Sequence, residues 1–142
     1  MENAVPINVR MFQDAGAVLE RNYDFNPRRK GIERFSDASD ERRAQLIAEN
    51  PLYGRVVCRC ETVTEAEILQ AIHRPVGART VDAVKRRVRA GTGRCQGGFC
   101  GPKVIEILAR ELNIPAAEIR KNLDGSYMLT GQIREEKRCG DA

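Results

Sequence analysis

The sequence predicts a small all-α domain of helix-turn-helix type, carrying a four-cysteine site at its helix ends and preceded by an irregular N-terminal arm. Three observations carry this reading. Apolar residues recur at helical spacing in successive stretches beyond residue 40, each opened by a capping residue or a proline. A length of 142 residues, 42% hydrophobic and 31% charged, suffices for one core and leaves little room for two full ones. Four of the five cysteines fall in two short doublets placed where helical periodicity stops.

Residues 1–35 read as an arm with at most one short helix near Met11 to Arg21, because Asn, Pro and Gly recur (NYDFNPRRKG) and apolar periodicity is weak. Ser39-Asp40 can cap a helix from Glu41 to Glu49 with Leu46 and Ile47 as its small apolar face, and Asn50-Pro51 stops it. LYGRVVCRC is β-branched and alternating, hence extended chain. Thr64-Glu65-Ala66-Glu67 is a capping box, with Val63 and Ile68 at the staple positions. Its helix should run to about His73, with Ile68, Leu69 and Ile72 inward and Pro75 closing it. Thr80 can cap the next helix, in which Val81, Val84 and Val88 form the buried stripe, and Gly91 is placed for its C-terminal turn. Pro102 to about Asn113 is the strongest helix, on Val104, Ile105, Leu108 and Leu112, and a short helix from Pro115 to about Lys121 follows. Residues 1–50 are thus expected to be an arm with one or two short helices, and residues 51–142 the cysteine-bearing helical domain.

Several function classes are excluded at this level. The longest apolar runs fall far short of the roughly 18 residues needed to cross a bilayer, and residues 1–20 lack a basic stretch followed by an apolar one. A cytoplasmic protein without a transmembrane segment is expected, peripheral to a membrane only through a partner. His73 is the single histidine, so a site with two His ligands cannot be built. No nucleophile signature surrounds it, and a surface position at a helix end is expected, where the helix dipole favours cations. No Gly-rich phosphate cradle is present, and no catalytic residue is assigned. Residues 1–50 hold 8 Lys/Arg against 9 Asp/Glu, whereas 51–142 hold 16 against 11, so the net charge of +4 gathers with the cysteines. Lys85, Arg86, Arg87 and Arg89 are its densest part and read first as a solvated helix face, then as attraction for an anionic centre or an acidic redox partner. Aromatics make up 5% of the chain and none interleaves that run, which argues against nucleic acid.

Cys58 and Cys60 form C-x-C, and after 34 intervening residues Cys95 and Cys100 form C-x4-C. Residues two apart in extended chain point to one side, so the first doublet can present two sulfurs together. Gly97-Gly98 allows the second doublet a tight loop whose amides can donate to sulfur. Cys100 precedes Gly101-Pro102 at one helix N-terminus and Cys60 leads into another, so two positive helix ends are expected at an anionic centre. Two doublets suit a [2Fe-2S] cluster, one doublet to each iron, with mononuclear zinc as the rival metal, and a zinc- or cluster-stabilised docking module with a purely structural metal as the alternative function. An oxidised cluster with four thiolates is a dianion, and Arg59 and Arg94 would answer that charge. Cys139, near the polar end KRCGDA, reads as a free exposed thiol outside the set.

VVCRCETVTEAEILQAI followed by TVDAVKRRVRAGTGRCQGGFCGPKVIEILARE resembles the [2Fe-2S]-binding domain of bacterioferritin-associated ferredoxin type. The RCQGGFC form is most similar to the C-terminal module of anaerobic-type FAD-dependent glycerol-3-phosphate dehydrogenases. DFNPRR and DGSYMLTGQI extend the likeness to about residues 22–133. The resemblance implies that Cys58, Cys60, Cys95 and Cys100 ligate the cluster. It further implies one-electron transfer beside a flavoprotein dehydrogenase domain or subunit, which would hold the FAD, and onward to a downstream electron acceptor. No flavin-binding domain precedes the module in this chain, and residues 1–50 would be the lead-in from one, or this would be a separate small subunit.

Overall fold

A computed structural model describes residues 7–18, 24, 28 and 30–131; for residues 7–10 it describes the backbone alone. Cys139 lies outside the described residues. The chain divides into two units, residues 1–31 and 32–142. In the first, helix α1 spans Ile7–Asp14, earlier than the sequence suggested, and Gly16, at φ +80°, sits in the turn that ends it.

The second unit is mostly helical. Helix α2 spans Asp40–Glu49 and begins where expected, the Ser39 hydroxyl accepting from the Arg42 amide. Leu46 is buried but Ile47 faces solvent. A 3₁₀ turn over Pro51–Gly54 leads into strand β1, Val56–Cys58. The all-helical expectation needs correction at this point. β1 pairs antiparallel with strand β2, Val63–Thr64, in the register Val56 to Thr64 and Cys58 to Val63 with an irregularity between. The extended segment carries unpaired backbone groups, and folding back on itself satisfies them.

Helix α3 spans Glu65–His73 with both halves of the Thr64/Glu67 capping box formed. Helix α4 spans Val81–Val88, capped by the Thr80 hydroxyl at 3.2 Å from the Ala83 amide. It ends two residues earlier than the glycine suggested: Arg89, at φ +66°, takes the left-handed cap position, and its amide donates to the Lys85 carbonyl. Gly91, at φ +84°, turns the loop beyond. Helix α5 spans Cys100–Leu112 and closes on left-handed Asn113. After it only a 3₁₀ turn forms, Ala116–Glu118, in place of the expected α-helix. Fully buried Ile119 is extended there, and the Arg120 and Lys121 carbonyls accept from the Val81 and Asp82 amides, so tertiary pairing outcompetes helix continuation.

Helices α3, α4 and α5 pack together around Ile68, Ile72, Val84, Leu108 and Ile119, each nearly inaccessible to solvent. A smaller cluster of Phe35, Leu46, Tyr53 and Ala66 seats α2 on the β2–α3 junction. Glu67 joins the two. Its carboxylate accepts from the Thr64 amide, the Thr64 hydroxyl and the distant Phe35 amide at 2.8, 2.8 and 3.2 Å. Among the described residues no helix is long and apolar enough to cross a membrane.

Candidate metal centre

Both doublets arrive at one cavity. Cys58 closes β1, Cys60 lies in the turn that joins β1 to β2, Cys95 in the loop after α4, and Cys100 is the first residue of α5. Together they line a cavity of about 550 Å³, along with Val56, Val57, Phe99 and three cations, Arg59, Arg94 and Lys103. The first doublet is not presented by strand alternation. Because Cys60 stands in a turn, Cys58 is 2% exposed while Cys60 is open to solvent. The second doublet is split likewise, Cys100 being 2% exposed and Cys95 half-buried.

One close pair of thiols spans the two doublets. Cys60 Sγ and Cys95 Sγ are 3.7 Å apart, close to the spacing of about 3.8 Å that two thiolates take on one tetrahedral metal with bonds of roughly 2.3 Å. Cys58 and Cys100 interact at the buried side. No group of three or more His, Cys, Asp or Glu side chains among the described residues is set to hold one metal ion.

Local electrostatics differ across the cavity. The amides of Phe99 and Gly97, then contact with Cys60 and the Gly98 amide, hold the Cys95 thiol below the ordinary cysteine value. Burial, then the neighbouring Cys58, pushes the Cys100 thiol up to about 11. The amides beside Cys95 belong to the loop expected to donate to sulfur, and Gly97 at φ +89° turns it. Of the two helix ends expected here, α5 has no side-chain cap, but its Gly101 amide donates to the Gly97 carbonyl and Pro102 has no N–H, so little of its first turn is left for an anion beyond the helix dipole. The N-terminus of α3 is already answered by its own Glu65 and Glu67.

Arg59 and Arg94 line the cavity as expected, whereas the basic helix does not. Arg86 reaches Asn122 and Asp82, Arg87 donates to the Ala83 and Val76 carbonyls, and Arg89 pairs with Glu61 at 2.7 Å. That last pair ties the end of α4 to the residue after Cys60. His73 lies exposed, away from the cavity, with Nε2 at 2.8 Å from Glu111. Sequence reasoning missed Lys103, since one lysine on a helix gives no signal of facing a cysteine. It also missed Gly93, where an added Cβ would stand 2.4 Å from Cys60 Cβ. Only glycine lets the two cysteine loops approach that closely.

Residues 56–110 match the family described as BFD-like [2Fe-2S] binding domain. The chain is 56% identical to a glycerol 3-phosphate dehydrogenase of Caloramator mitchellensis over 83% of its own length and 25% of the relative's. It is 36% identical to an opine oxidase subunit of Rhizobium meliloti, over 70% of this chain and 18% of that one. An anaerobic glycerol-3-phosphate dehydrogenase subunit of Haloferax volcanii is 32% identical over 70% of this chain and 15% of its own. The chain thus spans a quarter or less of the length of these relatives. No solved structure matches it.

Proposed function

We propose, on the footing that residues 56–110 are a BFD-like [2Fe-2S] binding domain, that this chain is a one-electron relay whose cluster is held by Cys58, Cys60, Cys95 and Cys100. The observation that carries the reading is the convergence of all four thiols on one cavity inside that segment. The donor set fits the group. Four soft sulfur ligands suit iron, and Cys60 and Cys95, from different doublets, stand at the spacing that two thiolates on one iron require. When bound, a [2Fe-2S] cluster accepts and returns single electrons.

The chain's own residues would do the rest. Amides of the Gly97–Phe99 loop and the positive end of the α5 dipole would offset the anionic charge, and Arg59, Arg94 and Lys103 would add full positive charges at the cavity. Cys58, Cys100 and the apolar β1 side chains keep water from one side.

The relay would serve a dehydrogenase. Oxidation at an alcohol carbon removes two electrons and needs a hydride acceptor and a base, and the cysteine cavity contains neither His nor carboxylate among its lining residues. FAD on a flavoprotein domain or subunit would take the pair of electrons and hand them on singly. The relatives' names favour glycerol 3-phosphate as the partner's substrate, and cytoplasmic placement goes with that role. Anaerobic purification followed by iron and sulfide counting and a visible spectrum tests the reading. Iron and acid-labile sulfide in equal amounts, bleached reversibly by dithionite, are expected. Serine at any of the four cysteines should abolish or strongly weaken the colour, while Cys139→Ser should leave it. A colourless protein carrying zinc would refute the relay and favour a metal-stabilised docking module.

A further inference from the structure

At the mouth of the cysteine cavity the fold leaves an aromatic ring bare and positive charge unanswered. Phe99 is 85% exposed and occupies the N-cap position of α5 without making a cap. Val56 and half-buried Val57 continue the apolar surface beside it. Arg59, Arg94 and Lys103 line the same cavity, are exposed, and make no salt bridge among the described residues. Several basic side chains elsewhere in the unit do: Arg42 with Glu33, Arg89 with Glu61, Arg110 with Glu65, and Lys121 with Asp82. Counter-charge for an anionic centre accounts for cations at the cavity. It does not account for a phenyl ring held in water, which forgoes the burial that most strongly drives such a side chain inward. An apolar centre ringed by cations, over the thiols, has the anatomy of an association surface.

We infer that this face docks a redox partner protein whose surface presents carboxylates around an apolar recess that receives Phe99. The basic face of α4, the stronger candidate by sequence, is largely occupied by internal pairs. The inference rests on the relay reading and adds to it where the electron crosses and what charge the partner shows there. One electron leaves the partner's reduced flavin and enters the chain, with no bond made or broken in either protein. Approach of the acidic surface is steered by Arg59, Arg94 and Lys103, so its rate depends on salt.

The test uses the cluster-loaded full chain and two electron donors in stopped flow: reduced flavodoxin as an acidic flavoprotein probe, and photoreduced deazariboflavin as a small uncharged one. The flavodoxin rate should fall as salt rises. It should drop about threefold or more in Arg59→Glu, in Lys103→Glu and in Phe99→Asp, which puts a carboxylate at the centre of the patch. The deazariboflavin rate carries whatever the variants change at the centre itself and should fall less than the flavodoxin rate in all three, and Lys85→Glu should leave both donors unaffected. A salt-independent flavodoxin rate, no loss in the three variants, or a greater loss with Lys85→Glu would overturn the inference while leaving the relay intact. A wild-type chain that deazariboflavin cannot reduce would overturn the relay itself.

Discussion

At the scale of single residues, the four thiols are chemically unequal although the sequence writes them as two doublets. Cys95 is held low by the Phe99 and Gly97 amides, and Cys100 is raised to about 11 by burial. The thiolate is the reactive form, so in the metal-free chain Cys95 should alkylate below the pH at which an ordinary thiol reacts, and Cys100 only after it. Timed iodoacetamide labelling with peptide mass spectrometry reads this, and equal rates at Cys95 and Cys100 would contradict it. Glycines also separate by environment. Gly93→Ala would set a methyl 2.4 Å from Cys60 Cβ, so cluster occupancy, read as absorbance per chain, should fall sharply. Gly101→Ala faces open space early in α5 and should keep occupancy while raising stability by a few tenths to about 1 kcal/mol. Neither difference is legible in the string TGRCQGGFCG, because each depends on which distant backbone passes nearby.

At the scale of elements, caps were the most legible feature. Ser39, Thr64 and Thr80 all open helices as their side chains dictate. What the box could not show is its third partner. Glu67, 2% exposed, also receives the Phe35 amide, so it seats the segment before α2 on α3. Glu67→Ala would strand several donors in a buried place and should cost about 3 kcal/mol. Thr64→Ala should cost about 1 kcal/mol. Urea melts of both variants check the ranking, and a larger loss at Thr64 would contradict it. The ends of α3 and α5 are joined by His73 and Glu111. Glu111 is held below the ordinary carboxylate value, first by the Arg110 guanidinium and then by His73. A carboxyl whose folded value is depressed stabilises the fold above its unfolded value, and that contribution is lost as pH falls through the folded one. Glu111→Gln should therefore narrow the stability gap to wild type as pH drops below about 4.5, while a gap constant from pH 7 to pH 3 would show the pair to be inert.

At the scale of the whole molecule, the cysteine cavity lies at the seam between the β1–β2 hairpin and the N-terminus of α5, two segments joined by 34 residues of intervening chain between Cys60 and Cys95. A group bonded to both segments binds the folded chain far better than the unfolded one, so loading should raise stability by mass linkage. Calorimetry of loaded and metal-free chain should give clearly separated melting temperatures, and coincident transitions would uncouple the centre from the fold. The sequence alone determined the helical character, the caps and which four cysteines line one cavity. Those follow from side-chain periodicity, local hydrogen bonding and donor chemistry, all of which act within a few residues. Tertiary structure alone decided that the extended segment pairs with itself, that Ile119 is drawn inward as extended chain, and that two thiols lie buried and two more open to solvent. It also decided that the charges of α4 are mostly consumed by internal partners while Arg59, Arg94 and Lys103 are left at the cavity. Those outcomes turn on which distant groups meet: a charge is free or spent, and a backbone paired or bare, only by what the folded chain brings against it.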